Sequence, residues 1–141
     1  MRLLILLGCF LVSPFTVADQ AAIAVDNAYV RGMPPGRTVT AAFFDLHNKG
    51  ARDCRLVGAT ADIARSGELH THIHKDGVMR MRRVKGVDLP AGETVSFKPG
   101  GLHVMLFGVR PLKDGEPVSV TLNFEQCEPL TVGTAVRSVR R

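Results

Sequence analysis

The sequence predicts an all-β domain, either a β-sandwich or a small Greek-key barrel. Three observations carry that expectation. Gly, Pro or Asx residues punctuate the chain about every eight to twelve residues, and the runs between them alternate apolar with polar residues or are β-branched. No stretch sustains a helical period, the segment from Ala59 to Arg65 having room for a turn at most.

The first segment, "MRLLILLGCFLVSPFTVA", has the grammar of a cleaved secretory signal peptide: Arg2, then an apolar run, then the small residue Ala18. The expected division is therefore a signal peptide over 1–18 and one mature β domain over 19–141. The apolar run is interrupted at Pro14 and is shorter than the roughly 20 residues that span a bilayer, so no transmembrane segment is expected in the mature chain. Leu6-Leu7-Gly8-Cys9 also resembles a bacterial lipobox, but Cys9 follows Arg2 too closely for a normal signal core.

The strands then follow in order. They are expected at Ala24 to Tyr29, Thr40 to Asn48, Cys54 to Ala61, Glu68 to His74, Val78 to Val84, Thr94 to Lys98, His103 to Phe107, Val118 to Phe124 and Leu130 to Arg137. Met33-Pro34-Pro35-Gly36, Asn48-Lys49-Gly50, Asp76-Gly77, Pro90-Ala91-Gly92, Pro99-Gly100-Gly101 and Asp114-Gly115 separate them. Each supplies a fixed φ or a residue that tolerates positive φ.

With 141 residues, 45% hydrophobic and 22% charged, the chain has the composition of one globular domain and not of a disordered segment. Its formal charge of +5 falls to +4 when Arg2 leaves with the signal. Arg137, Arg140 and Arg141 make a short basic tail without interleaved aromatics, which reads as solvated charge, or weak attraction to an anionic membrane or acidic partner, and is poor evidence for nucleic acid, which is not expected as a partner. Export leaves Cys54 and Cys127 as an even pair in an oxidising compartment, so a disulfide between them is expected, the alternative being two buried free thiols. Neither cysteine adjoins the His/Met segments, and a monomer is expected.

Chemistry concentrates in "HTHIHKDGVMRM", residues 70 to 81. Side chains two apart on a strand share a face, so His70, His72 and His74 point one way, and Met79 and Met81 share a face in the same manner. A two-residue turn at Asp76-Gly77 would set His74 across from Met79 and His72 across from Met81, all five on one face. In His103-Val104-Met105, Val104 belongs with Leu102 and Leu106 on the core side, leaving His103 and Met105 on the other. Thioether sulfur is a soft ligand that selects Cu(I), imidazole accepts either copper state or zinc, and the mixture points to copper. Zinc sites prefer Cys and His, or His with a carboxylate. Alternate strand residues lie roughly 6.6 Å apart, so one ion cannot hold both His70 and His74, some 13 Å apart. His47 and Met33 lack such company and read as a surface histidine and a loop contact.

The pattern His70-x10-Met81-x21-His103-x-Met105 resembles the H-x10-M-x21-H-x-M signature of the periplasmic PCu(A)C copper chaperones. "AYVRGMPPG", "TAAFFDLHNKG", "DGVMRMR", "LPAGETVSFKPGGLHVML" and "VTLNF" extend the resemblance over nearly the whole mature chain. It implies a cupredoxin-like Greek-key β-barrel or sandwich that binds Cu(I) through His70, Met81, His103 and Met105. It further implies a periplasmic location and delivery of copper to the copper subunits of cytochrome c oxidase, alongside a thioredoxin-like assembly protein. Leu102 stands where the family often has Tyr, and Phe107 where it often has Met. His72, His74 and Met79 share that face as candidate auxiliary metal ligands, the alternatives being a second weak site, a Cu(II) site through the extra histidines, or solvated surface. The family pattern selects His70, whereas a simple turn sets His72 opposite Met81; a bulge or wider loop is expected to reconcile the two.

Three functions compete on these residues. A non-enzymatic copper chaperone leads, and a periplasmic copper buffer or resistance protein has the same sequence signature. A small superoxide dismutase-like copper oxidoreductase is disfavoured, because methionine ligands hold copper reduced. Blue-copper electron transfer needs a Cys thiolate beside two His, which neither mature cysteine can supply.

Overall fold

The computed structural model describes residues 22–138. The expected signal peptide over 1–18, with Cys9, and the tail residues Arg140 and Arg141 lie outside the described residues. Ten strands follow one another: β1 (Ile23–Arg31), β2 (Val39–Asn48), β3 (Cys54–Ala61), β4 (Ser66–Lys75), β5 (Val78–Arg83), β6 (Val87–Leu89), β7 (Thr94–Phe97), β8 (His103–Phe107), β9 (Pro117–Glu125) and β10 (Leu130–Arg137). Nine are the expected ones, with ends shifted by up to two residues. The tenth, β6, has only Val87–Leu89 between Gly86 and Pro90, too short a run to show a period; its pairing with β3 alone makes it a strand.

Hydrogen bonding links the strands in the order β5-β4-β8-β2-β1-β10-β9-β3-β6, with β7 also on β2. The path does not close, so the domain is a folded-over sandwich and not a sealed barrel. Its two layers join where β1 and β10 run parallel through Val30↔Val136 and Arg31↔Arg137. The inner faces bury Val30, Leu46, Leu56, Leu89, Val104, Leu106 and Leu122 completely. Each such side chain contributes roughly 1.5–3 kcal/mol relative to exposure. Met33 packs against the margin of this core, as a loop contact does.

Three features hold the fold in place. At Gly67 on β4 a Cβ would stand 2.2 Å from the Ala59 carbonyl oxygen of β3, so glycine is required where the two layers approach. Asn48 is buried and satisfied: its amide donates to the carbonyls of Arg52 at 2.7 Å and Leu89 at 3.0 Å, and its oxygen accepts from Gly50 N–H at 3.0 Å. Cys54 and Cys127 form the expected disulfide, with Cα atoms 5.6 Å apart across a separation of 73 residues. Closing a loop of that length stabilises the fold by about 4 kcal/mol in the chain-entropy model.

Candidate metal centre

The His/Met face is assembled by β5, β4 and β8, adjacent in that order. Asp76 (φ 54) and Gly77 (φ 72) both occupy the left-handed region. This is the requirement of a two-residue type I′ turn, which matches the right-handed twist of the strands it joins. The hairpin therefore runs in unbroken register: Lys75↔Val78, His74↔Met79, His72↔Met81 and His70↔Arg83. The expected bulge or wider loop is absent, because the Asp-Gly pair satisfies the turn without an extra residue. His72, not His70, faces Met81 directly.

On the other side of β4, His70 pairs with His103 and Glu68 with Met105. Directly opposed residues share a face, so Glu68, His70, His72, His74, Met79, Met81, His103 and Met105 all lie on the outer face. Val104 and Leu106 occupy the core side, as expected.

The imidazoles converge. Ring centroids are 5.8 Å apart for His70 and His103 and 5.2 Å for His72 and His103, and Phe43 covers His103 at 6.3 Å. Although on the outer face, His103 is only 3% exposed. Burial lowers its pKa below 6.5, a shift that the Gly101 carbonyl partly opposes and the neighbouring His72, His70 and Arg31 reinforce. The ring is thus held neutral.

Hydrogen bonds then fix which nitrogen stays free. His103 Nδ1 donates to the Gly101 carbonyl at 3.0 Å, leaving the Nε2 lone pair available. His70 Nε2 donates to Glu68 Oε2 at 2.9 Å, leaving Nδ1. Glu68 also pairs with Arg83 at 3.0 Å. The nitrogens left over, His70 Nδ1 and His103 Nε2, are buried and have no hydrogen-bond partner, and His72 Nδ1 is in the same condition. Arg31 Nε shares it too, with the Arg31 guanidinium stacked over Phe43 beside this cluster. An unsatisfied buried polar atom costs about 1–3 kcal/mol, so these ring nitrogens leave hydrogen-bonding or ligating capacity unused on this face.

Two thioether side chains share this sheet face. Met81 is 47% exposed on β5, and Met105 is half-buried on β8. Among the described residues no three His, Cys, Asp or Glu side chains form a metal site by themselves, so a site here requires the methionines. His74 and Met79 sit at the exposed tip of the hairpin, beyond the convergent rings. His47 lies elsewhere, its Nδ1 bonded to Thr94 and its Nε2 beside Asp26. The pairing of cysteines also keeps them away: the disulfide borders a depression of about 970 Å³ lined by Gly50, Arg52 and Pro129, which contains none of the His/Met donors.

Glu68 is the site residue that sequence reasoning missed. Its signal was available in parity, since it lies two residues before His70 and so on the same face. A carboxylate that orients a ligating histidine is a common outer-shell device.

Comparison with known proteins gives a consistent picture. The family model described as "Putative lipoprotein LpqE-like" matches residues 23–136. The protein Lxx21020 of Leifsonia xyli subsp. xyli is 38% identical over 141 residues, an alignment that covers 96% of this chain and 84% of the relative. Among solved structures, the copper-bound PCuAC domain from PmoF2 superimposes with a TM-score of 0.69 at 25% identity, covering 84% of this chain and 95% of that one. CuI-DR1885 from Deinococcus radiodurans gives 0.65 at 34% identity, covering 87% and 81%. The fold they share is cupredoxin-like.

Proposed function

This chain belongs to the LpqE-like family of PCu(A)C-type proteins, and from that premise we propose that it is an exported copper carrier that binds Cu(I) and has no reaction of its own. His70, His103, Met81 and Met105 are the proposed ligands. The observation that carries this reading is the set of buried, unpartnered imidazole nitrogens on the sheet face that Met81 and Met105 share.

The chemistry suits cargo and not catalysis. Thioethers with neutral imidazoles favour Cu(I), and the burial that keeps His103 neutral keeps its lone pair available. Met81 stands half in solvent at the rim, where an acceptor's ligand can attack the ion before the inner imidazoles release it. Transfer by ligand exchange avoids the cost of freeing the ion into water.

The destination we propose is the copper subunits of cytochrome c oxidase, reached directly or through a thioredoxin-like assembly protein in the periplasm. The lipoprotein wording of the family description supports export, although the matched segment begins after Cys9. Mass spectrometry of the mature N-terminus separates a cleaved signal from a lipidated Cys9. Among the described residues no helix is long and apolar enough to cross a membrane.

The defining test is competition of the purified protein with a Cu(I) chelator. One Cu(I) is expected to bind, and both His103→Ala and Met81→Ala/Met105→Ala are expected to lose it. Undiminished affinity in the methionine double variant sinks the site. Deleting the gene and measuring oxidase copper content under copper limitation tests delivery, since a pure buffer would leave it unchanged.

A further inference from the structure

We propose that the free edge of β5 is a docking site for an acidic, extended segment of a partner protein, which adds to the sheet as one further strand. The inference goes beyond the copper reading and stands without it.

β5 ends the hydrogen-bonded path and is paired on one side only, with β4. The phase of that pairing fixes which backbone groups are left over. In a two-residue hairpin the residues flanking the turn, here Lys75 and Val78, form a hydrogen-bonded pair, and such pairs recur at every second position. The bond from Val84 N–H to the Leu69 carbonyl at 2.8 Å falls in the same phase. Arg80 and Arg82 therefore bond inward to β4. The N–H and C=O groups of Met79, Met81 and Arg83 point away from the sheet, where no strand receives them.

Native sheets blunt an exposed edge with a short strand, a proline or a bulge. The other end of the path is of that kind, since β6 has three residues and is stopped by Pro90. β5 has none of these devices: its six residues run about 20 Å in unbroken register without proline. Every one of them is exposed. Of the exposed large hydrophobic side chains among the described residues, Val78, Met79 and Met81 stand on this strand and only Val39 elsewhere.

Charge selects the occupant. Lys75, Arg80, Arg82, Arg83 and Lys85 fall within residues 75–85, where Asp76 is the one acid. Among the described residues only Arg83 of these cations has an ion pair, with Glu68. A second copy added edge to edge would set arginine against arginine, and like charges across a ladder repel. A strand with carboxylates at alternate positions instead matches Arg80 and Arg82, which share a face roughly 6.6 Å apart. Its intervening side chains then lie on the face of Met79 and Met81. Main-chain bonds supply the affinity of such an addition and alternate side chains its specificity. A lipid headgroup layer offers negative charge but no ladder for the free N–H groups.

The test titrates the purified protein with a capped peptide of about ten residues that alternates glutamate with valine, read by calorimetry and amide hydrogen exchange. Saturable binding is expected, with protection gained at the amides of Met79, Met81 and Arg83. The same peptide N-methylated along its ladder edge should not bind, nor should its lysine counterpart. Arg80→Glu/Arg82→Glu should weaken the acidic peptide about tenfold, two exposed attractions having become repulsions, and should turn the preference toward the lysine peptide. If that variant does not keep the wild-type Tm, Arg80→Gln/Arg82→Gln replaces it and should discriminate little between the two peptides. The proposal is overturned by no saturable binding up to roughly 1 mM peptide, by binding that survives N-methylation, or by protection gained elsewhere in the sheet. Sedimentation with phosphatidylglycerol vesicles by a protein that does not bind the peptide overturns it in favour of a lipid surface.

Discussion

Replacing Glu68 by Ala removes the carboxylate that accepts the His70 Nε2–H bond at 2.9 Å, while leaving every proposed copper ligand in place. Without that acceptor the His70 proton is free to settle on Nδ1, the nitrogen that faces the cluster. Losing an outer-shell partner of this kind typically costs about 10–100-fold in metal affinity, equivalent to roughly 1.4–2.7 kcal/mol. The cost to folding is smaller. Glu68 also pairs with Arg83, but the Arg83 side chain is 68% exposed, and such pairs contribute about 0–1 kcal/mol. The two effects therefore separate in one variant: Cu(I) affinity, measured by chelator competition, falls at least tenfold by the same outer-shell yardstick of ~10–100, while Tm falls by no more than about 4–8 °C. Imidazole nitrogen NMR of the metal-free protein adds a direct readout, the Nε2–H tautomer of His70 giving way to a mixture. Glu68→Gln, whose amide oxygen still accepts the bond, should recover part of the affinity. Wild-type Cu(I) affinity in Glu68→Ala, or an unchanged His70 tautomer, refutes the reasoning.

Two further outcomes follow from the same geometry. Burial holds the folded-state pKa of His103 below 6.5, so below that pH the unfolded chain binds a proton that the native state excludes. The stability it contributes is complete above 6.5 and is lost as pH falls through the lowered value; Tm of the metal-free protein should decline from pH 7 to pH 5, and His103→Gln should flatten that slope. An identical slope in the variant contradicts the assignment. Gly67→Ala should destabilise the domain by about 1–3 kcal/mol or more in urea unfolding, since the new Cβ meets the Ala59 carbonyl oxygen and two backbones must separate. Wild-type stability would show that β3 and β4 do not approach so closely in solution.

The sequence by itself determined the chemistry and the parity. Alternating residues place His70, His72 and His74 on one strand face, with Met79 and Met81 in phase across Asp76-Gly77, and His103 with Met105 opposite Val104 and Leu106. These are local consequences of a two-residue period, so they are legible without tertiary information. The turn was legible for the same reason, since Asp-Gly encodes positive φ at both positions, and the simple register it predicts is the one observed. The bulge expected from the family spacing has no local residue to build it.

Tertiary structure alone decided what lies beside what. Nothing in the sequence inserts β8 between β4 and β2, yet that non-sequential pairing sets His103 against His70 and makes one centre of segments far apart in the chain. It decided equally that His103 is buried although it faces outward, because the rings of Phe43, His70 and His72 cover it. The free nitrogens depend on partners brought in by the fold, the Gly101 carbonyl for His103 and the Glu68 carboxylate for His70. The three-residue β6 depends on it too, existing only through its pairing with β3. Side-chain period is a property of one strand, whereas coordination is a property of several. The donors could therefore be named from sequence, and their convergence only from the packed sheet.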